Sequence, residues 1–136
     1  MSAHEIATAY YDAFNQKDWA GMLALVDTDV QHDSNQGPTR FGKDMFTQFL
    51  KHMDNCYDET LTDIVVMAEP TNTRVACEFT VNGIYKKTDG DLPEAAGQTY
   101  SLPAGSFLAI ANGLITRITT YYNLPLWESL VLGESN

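Results

Sequence analysis

Apolar residues first recur at helical spacing. Ala3, Ile6, Ala7, Tyr10 and Phe14 fall on one stripe. Ser2, with Glu5 three residues later, has the form of a capping box at its start. The pattern breaks at Asn15-Gln16-Lys17-Asp18, where Asp18 can cap a second helix in which Trp19, Met22, Leu23 and Val26 share a face. A short strand is predicted at about 30–33, and Gly37-Pro38 signals a turn. Residues 43–53 read as a third helix with Met45, Phe46, Phe49, Leu50 and Met53 inward; its continuation to Cys56 is left open.

The rest of the chain favours strands. Residues 61–68 are β-branched and apolar, and 69–72 form a turn. In 74–82, Val75, Cys77, Phe79 and Val81 alternate with polar residues, as a half-buried strand requires. Gly83 marks a bulge or turn before 84–87. Residues 88–97 form a polar loop. Strands resume at 98–102 and 106–110, with Pro103 demoting the middle to an edge or a bulge. Asn112-Gly113 suits a two-residue hairpin turn into a last strand over 114–123. The tail, 124–132, has the pattern of a short amphipathic helix carrying Trp127. Three N-terminal helices followed by a meandering antiparallel sheet define an α+β fold, here a single domain over 1–136. A curved sheet that curls around a helix makes a cone with a pocket, the default site.

Composition narrows the partners. The chain carries 18 acidic against 8 basic residues, a formal net charge of −10, which argues against nucleic acid, whose binding relies on clustered Lys and Arg. No apolar run reaches the roughly 18 residues of a membrane span, and the N-terminus shows no basic segment followed by an apolar one. A cytoplasmic protein that engages neither membrane nor nucleic acid is the expectation. Cys56 and Cys77 lack metal-site spacing and read as reduced, buried small hydrophobes. His52 and Cys56 lie one helical turn apart, too few ligands for a metal, so no metal is expected. With no Gly-rich phosphate loop, no nucleotide or other cofactor is implied.

Several stretches resemble one family. They are Ala9-Tyr10-Tyr11-Asp12-Ala13-Phe14-Asn15, Asp18-Trp19, Asp29-Val30-Gln31-His32-Asp33, Gly42-Lys43, and Asn112-Gly113-Leu114-Ile115 leading into Tyr121-Tyr122-Asn123. Together they resemble the nuclear-transport-factor-2-like superfamily in its SnoaL-like, ketosteroid-isomerase-related branch, over nearly the whole chain. The resemblance implies a cone-shaped fold, a small apolar molecule in the pocket and a homodimer through the sheet. It puts the isomerase's general base at Asp33 and its oxyanion-hole tyrosine at Tyr10. The second oxyanion donor, a protonated aspartate, would fall near Gly105 or Ser106, where no acid stands.

The residues themselves leave a conflict. Alternation puts Val30 and His32 on one strand face and Gln31 and Asp33 on the other. If Val30 points to the core, so does His32, a rival base with an ordinary pKa near neutrality. The resemblance instead turns Asp33 inward with Gln31 on the same wall. Asp33-Ser34-Asn35 also suits a simple turn in which Asp33 bonds its own backbone. Tyr10 is a core aromatic or an oxyanion donor. Glu78 is a second acid if its face lines the pocket and a surface charge if it does not. Phe49 and Met53 suit an apolar ring-sized ligand as well as a core, and Tyr121, Asn123 and Trp127 are further candidates for the pocket wall. The expected function is cofactor-independent acid–base catalysis, of isomerase or cyclase type, on a small apolar carbonyl compound, with Asp33 moving the proton, His32 as the alternative base and Tyr10 steadying the enolate oxygen. The alternatives are a non-catalytic hydrophobic-ligand binder and a dimerisation domain.

Overall fold

The computed structural model describes residues 1–133. Helix α1 (Ala3–Asn15) begins at the expected capping box: the Glu5 amide donates to Ser2 Oγ at 3.1 Å and the Ser2 amide to Glu5 Oε1 at 2.9 Å. Its stripe of Ala3, Ile6, Ala7 and Tyr10 is buried. At its end Asn15 pairs with the Leu61 backbone, its Nδ2 donating to Leu61 O at 3.0 Å and its Oδ1 accepting from Leu61 N at 2.8 Å. Helix α2 (Trp19–Leu23) is a single turn capped by Asp18, which accepts from Gly21 N. Strand β1 (Val26–Asp33) leads to the two-residue strand β2 (Arg40–Phe41) and helix α3 (Lys43–Cys56). Helix α3 does reach Cys56, and Phe46 and Leu50 are buried on it while Met45 is exposed, against expectation.

Strand β3 (Tyr57–Ala68) starts directly from α3, four residues earlier than its apolar run suggests. Strands β4 (Arg74–Tyr85), β5 (Thr99–Ala111) and β6 (Leu114–Tyr122) follow, then helix α4 (Leu124–Leu132). The sheet order is β2-β1-β6-β5-β4-β3. It is mixed rather than purely antiparallel, because β1 pairs parallel to β6. The long path through α3, β3, β4 and β5 provides the crossover that a parallel pair needs. The remaining pairs are antiparallel. The architecture is thus α+β, with N-terminal helices on a six-stranded, mostly antiparallel sheet.

One expected interruption is absent, and an expected edge is found inside a continuous strand. Gly83 sits inside an unbroken β4, opposite Tyr100, whose ring occupies the space a Cβ would take. Pro103 sits inside an unbroken β5, paired with Thr80, where β6 has already ended at the Ala104–Tyr122 pair. The strand is locally an edge there, so its missing amide removes no bond to β6. Asn112 and Gly113 close the β5–β6 hairpin with φ of 53° and 77°, the left-handed values a type I′ turn needs.

Two apolar clusters hold the molecule. The larger joins α1, α3 and the concave sheet face. Each large aliphatic side chain it buries, such as Ile6 or Leu108, contributes roughly 1.5–3 kcal/mol. The smaller gathers Tyr57, Tyr85 and Tyr100 around Trp127 of α4. Ring centroids there lie 4.9–6.0 Å from the Trp127 ring, all edge-on. Among the described residues no helix is long and apolar enough to cross a membrane.

Candidate functional site

A cavity of about 470 Å³ lies between the helices and the concave sheet face. Two groups of polar side chains line it, one toward each end of α3. The first is His32 on β1 with Arg40 on β2. His32 is only 3% exposed and packs against Phe49 and Phe46 of α3, ring centroids 4.3 and 5.0 Å away. The Arg40 guanidinium lies 4.7 Å over the Phe49 ring. Among the described residues, Nδ1 of His32 and Nη1 of Arg40 are both buried without a hydrogen-bond partner. Burial and the neighbouring Arg40 charge lower the His32 pKa to about 4, with Asp33 opposing weakly. The imidazole is therefore neutral at pH 7, a base about as strong as an ordinary carboxylate.

The second group lies where α3 passes into β3. Tyr57 donates to Asp89 Oδ2 at 2.7 Å, and His52 Nε2 lies 2.8 Å from Asp89 Oδ1. Nearby, Tyr100 donates to Glu59 Oε2. Burial pushes the Glu59 carboxyl above its usual range, against the Tyr100 bond and the Lys17 charge. Tyr122 also lines this part, its phenol pushed up to about 12 by burial. Between the two groups Tyr10 lines the cavity, and burial raises its phenol well above the ordinary value.

The structure corrects several expected placements. Asp33 does not line the cavity. Parallel pairing sets it beside Thr119 on the outer face, and its Oδ1 accepts from the Asn35 amide at 2.9 Å, closing its own turn. The alternation of β1 holds: Val30 is fully buried and His32 faces the core with it. Gln31 pairs with Phe41 and Arg117, also away from the cavity. Glu78 is exposed on the outer face opposite Val65. Tyr121 is 52% exposed and stacks edge-on with Phe107 in a separate outer groove of about 250 Å³. Asn123 caps α4, accepting from Leu126 N at 3.0 Å. Tyr10, His32, Phe49, Met53 and Trp127 do line the cavity.

Other lining residues escaped the sequence reading. Tyr11 is buried, and its hydroxyl bonds Ser106 Oγ, where the isomerase pattern would place an acid. Tyr57 and Glu59 share the inward alternation of Leu61, but they precede the apolar run that marks the strand in the sequence. Arg40 stands on a two-residue strand with no periodicity to reveal it. Asp89 is delivered by the loop between β4 and β5, whose sequence only reads as polar.

This arrangement of helices over a curled sheet is the nuclear-transport-factor-2-like, ketosteroid-isomerase-like fold. Residues 7–118 match the SnoaL-like domain, and the chain belongs to that family. It is similar to a protein of Pseudomonas putida described as a "putative polyketide cyclase", with 50% identity over 96% of this chain and 98% of that one, at a TM-score of 0.95. A Silicibacter protein of the same description is 52% identical over 96% of this chain and 95% of that one, at 0.93. A Catenulispora acidiphila protein of ketosteroid-isomerase-like fold, solved with trimethylamine, shares the architecture at 21% identity, 96% and 92% coverage and a TM-score of 0.74. No curated protein matches the chain.

Proposed function

We propose that the protein carries out acid–base chemistry of the cyclase or isomerase type on a ring-sized, mainly apolar carbonyl compound, with His32 moving the proton. The observation that carries this reading is the state of His32: buried, neutral, lining the cavity and beside a guanidinium whose Nη1 is buried without a partner among the described residues. A neutral imidazole can accept a proton from carbon next to a carbonyl, and the Arg40 charge can then stabilise the enolate oxygen. Tyr10, whose hydroxyl makes no hydrogen bond within the described residues, is a second donor to that oxygen. Phe46, Phe49, Met53 and Trp127 supply apolar walls for a ring. The description shared by the half-identical relatives supports the reaction class. Asp33 has no part in it, since its carboxylate is engaged with its own turn on the outer face.

The test is turnover of a panel of cyclisable and enolisable ring carbonyl compounds by the wild type, His32→Gln and Asp33→Asn. The expected loss for His32→Gln is about 10²–10⁴-fold, with ligand binding retained and Asp33→Asn near wild type. Equal turnover by wild type and His32→Gln removes His32 from the mechanism. Tight binding with no turnover on any compound leaves a ligand-binding protein. The homodimer belongs to the same proposal: Val65, Met67, Phe107 and Tyr121 leave apolar surface exposed on the outer sheet face. Sedimentation should give a dimer for the wild type and a monomer for Phe107→Asp.

A further inference from the structure

His52 and Cys56 are only two potential ligands on one face of α3. Folding adds a third. The loop after β4 places the Asp89 carboxylate against them, so that a ring nitrogen of His52, Cys56 Sγ and an Asp89 oxygen all lie within 4.8 Å of one another. We propose that these three side chains form a divalent transition-metal site of the zinc type at the rim of the cavity.

The donor set selects the metal. A thiolate with an imidazole and one carboxylate oxygen suits zinc and its neighbours, whereas calcium and magnesium need several oxygen ligands. The spacing is close to what such an ion requires. With bonds of about 2.0–2.3 Å in tetrahedral array, ligand atoms stand roughly 3.4–3.6 Å apart. The His52–Asp89 contact of 2.8 Å opens slightly on binding, and the widest separation closes by about 1 Å, within reach of side-chain rotation.

The surroundings already orient the ligands. Tyr57 holds Asp89 Oδ2, which leaves Oδ1 facing His52. The Asp89 amide donates to the Tyr85 hydroxyl at 2.9 Å, and that hydroxyl donates to Pro93 O at 2.8 Å, so the loop is braced behind its ligand. Such outer partners fix the geometry of a metal's ligands. The two nearby lysines point elsewhere: Lys86 Nζ donates to Asp54 O and Lys87 Nζ to Asn55 Oδ1. Cys56 is 3% exposed, while the side chains of His52 and Asp89 are 48% and 24% exposed and line the cavity. The thiolate side of the site is therefore closed, and a fourth position faces the cavity. Three protein ligands with one open position is the arrangement that leaves room for water or a substrate oxygen. The ion also fastens the β4–β5 loop to α3.

This site does not depend on the role of His32. The test is titration of the metal-free protein with Co²⁺, followed by competition with Zn²⁺. The expected result is a one-to-one complex with thiolate-to-cobalt absorption in the near ultraviolet, displaced by zinc. Cys56→Ser, which keeps the side chain's shape, loses that band. Tyr57→Phe, with all three ligands intact, weakens zinc about 10–100-fold, and His52→Ala and Asp89→Asn weaken it further. Circular dichroism identifies variants that remain folded. His32→Gln keeps the band, which separates this site from the proton-transfer reading. Absence of the band in the wild type, or equal zinc affinity in the wild type and a folded Cys56→Ser, overturns the proposal.

Discussion

Acid is expected to weaken this fold through His32, and the size of the effect follows from its surroundings. The imidazole has a pKa of about 4 in the folded chain against 6.5 in the open one, chiefly because burial disfavours its charged form. Between those values the unfolded chain takes up a proton that the folded one refuses, so stability falls as pH falls. The contribution is fully present above pH 6.5 and is lost progressively down to about 4. At about 1.4 kcal/mol per pH unit, the total is roughly 3 kcal/mol. For a domain whose whole stability is of order 5–15 kcal/mol, that loss is large. Glu59 acts with the opposite sign. Its raised pKa means the folded chain holds that proton longer, so its contribution is present at low pH and lost as pH rises. A wild-type profile alone therefore mixes the two, and the difference from His32→Gln isolates the histidine. The assay is urea unfolding at a series of pH values, followed by fluorescence of Trp19 and Trp127. The wild type should lose about 3 kcal/mol more than His32→Gln between pH 7 and 4. Parallel profiles for the two proteins would refute the claim that the imidazole is buried and neutral.

Further outcomes follow from single contacts. Gly83→Ala sets a methyl group against the Tyr100 ring and should cost about 1–3 kcal/mol in chemical denaturation, as the ring leaves Glu59; an unchanged midpoint argues against that contact. Tyr11→Phe deprives the buried Ser106 hydroxyl of its phenol partner and should cost about 1–3 kcal/mol, whereas a Tyr11→Phe, Ser106→Ala pair should recover much of it. Glu59→Gln should become more stable relative to wild type as pH rises above the ordinary carboxylate range, since a desolvated charge is removed; a pH-independent difference would contradict the raised pKa. Arg40→Met keeps a stem over Phe49 without the charge, and ligands bearing an acidic hydroxyl or carboxylate should bind it more weakly than neutral ones do; equal losses for both would show that Arg40 only packs.

Local pattern carried much of the architecture. The capping box at Ser2, the Asp18 cap, the stripe of α1, the alternation of β4 and the Asn112-Gly113 turn are short-range effects, decided by neighbours a few residues apart. The same alternation correctly turned His32 inward with Val30, and the resemblance that preferred Asp33 was the weaker guide to side-chain direction. What local pattern could not contain is pairing at a distance. The parallel union of β1 with β6 joins residues more than eighty positions apart, and it sets Thr119 beside Asp33 on the outer face. Gly83 and Pro103 look like breaks until Tyr100 fills the space over one and the end of β6 frees the other. The cavity's chemistry is non-local throughout. Arg40 meets Phe49, Tyr11 meets Ser106, Glu59 meets Tyr100, and Asp89 reaches His52 across thirty-seven residues. The sequence by itself determined most of the helices, the longer strands and the β5–β6 turn, because those follow from local backbone preference and period; it did not show β2, the start of β3 or that Val26 belongs to β1 and not to α2. Tertiary structure alone decided which polar groups lose water together, and that loss of water is what makes His32 neutral and Glu59 reluctant to ionise.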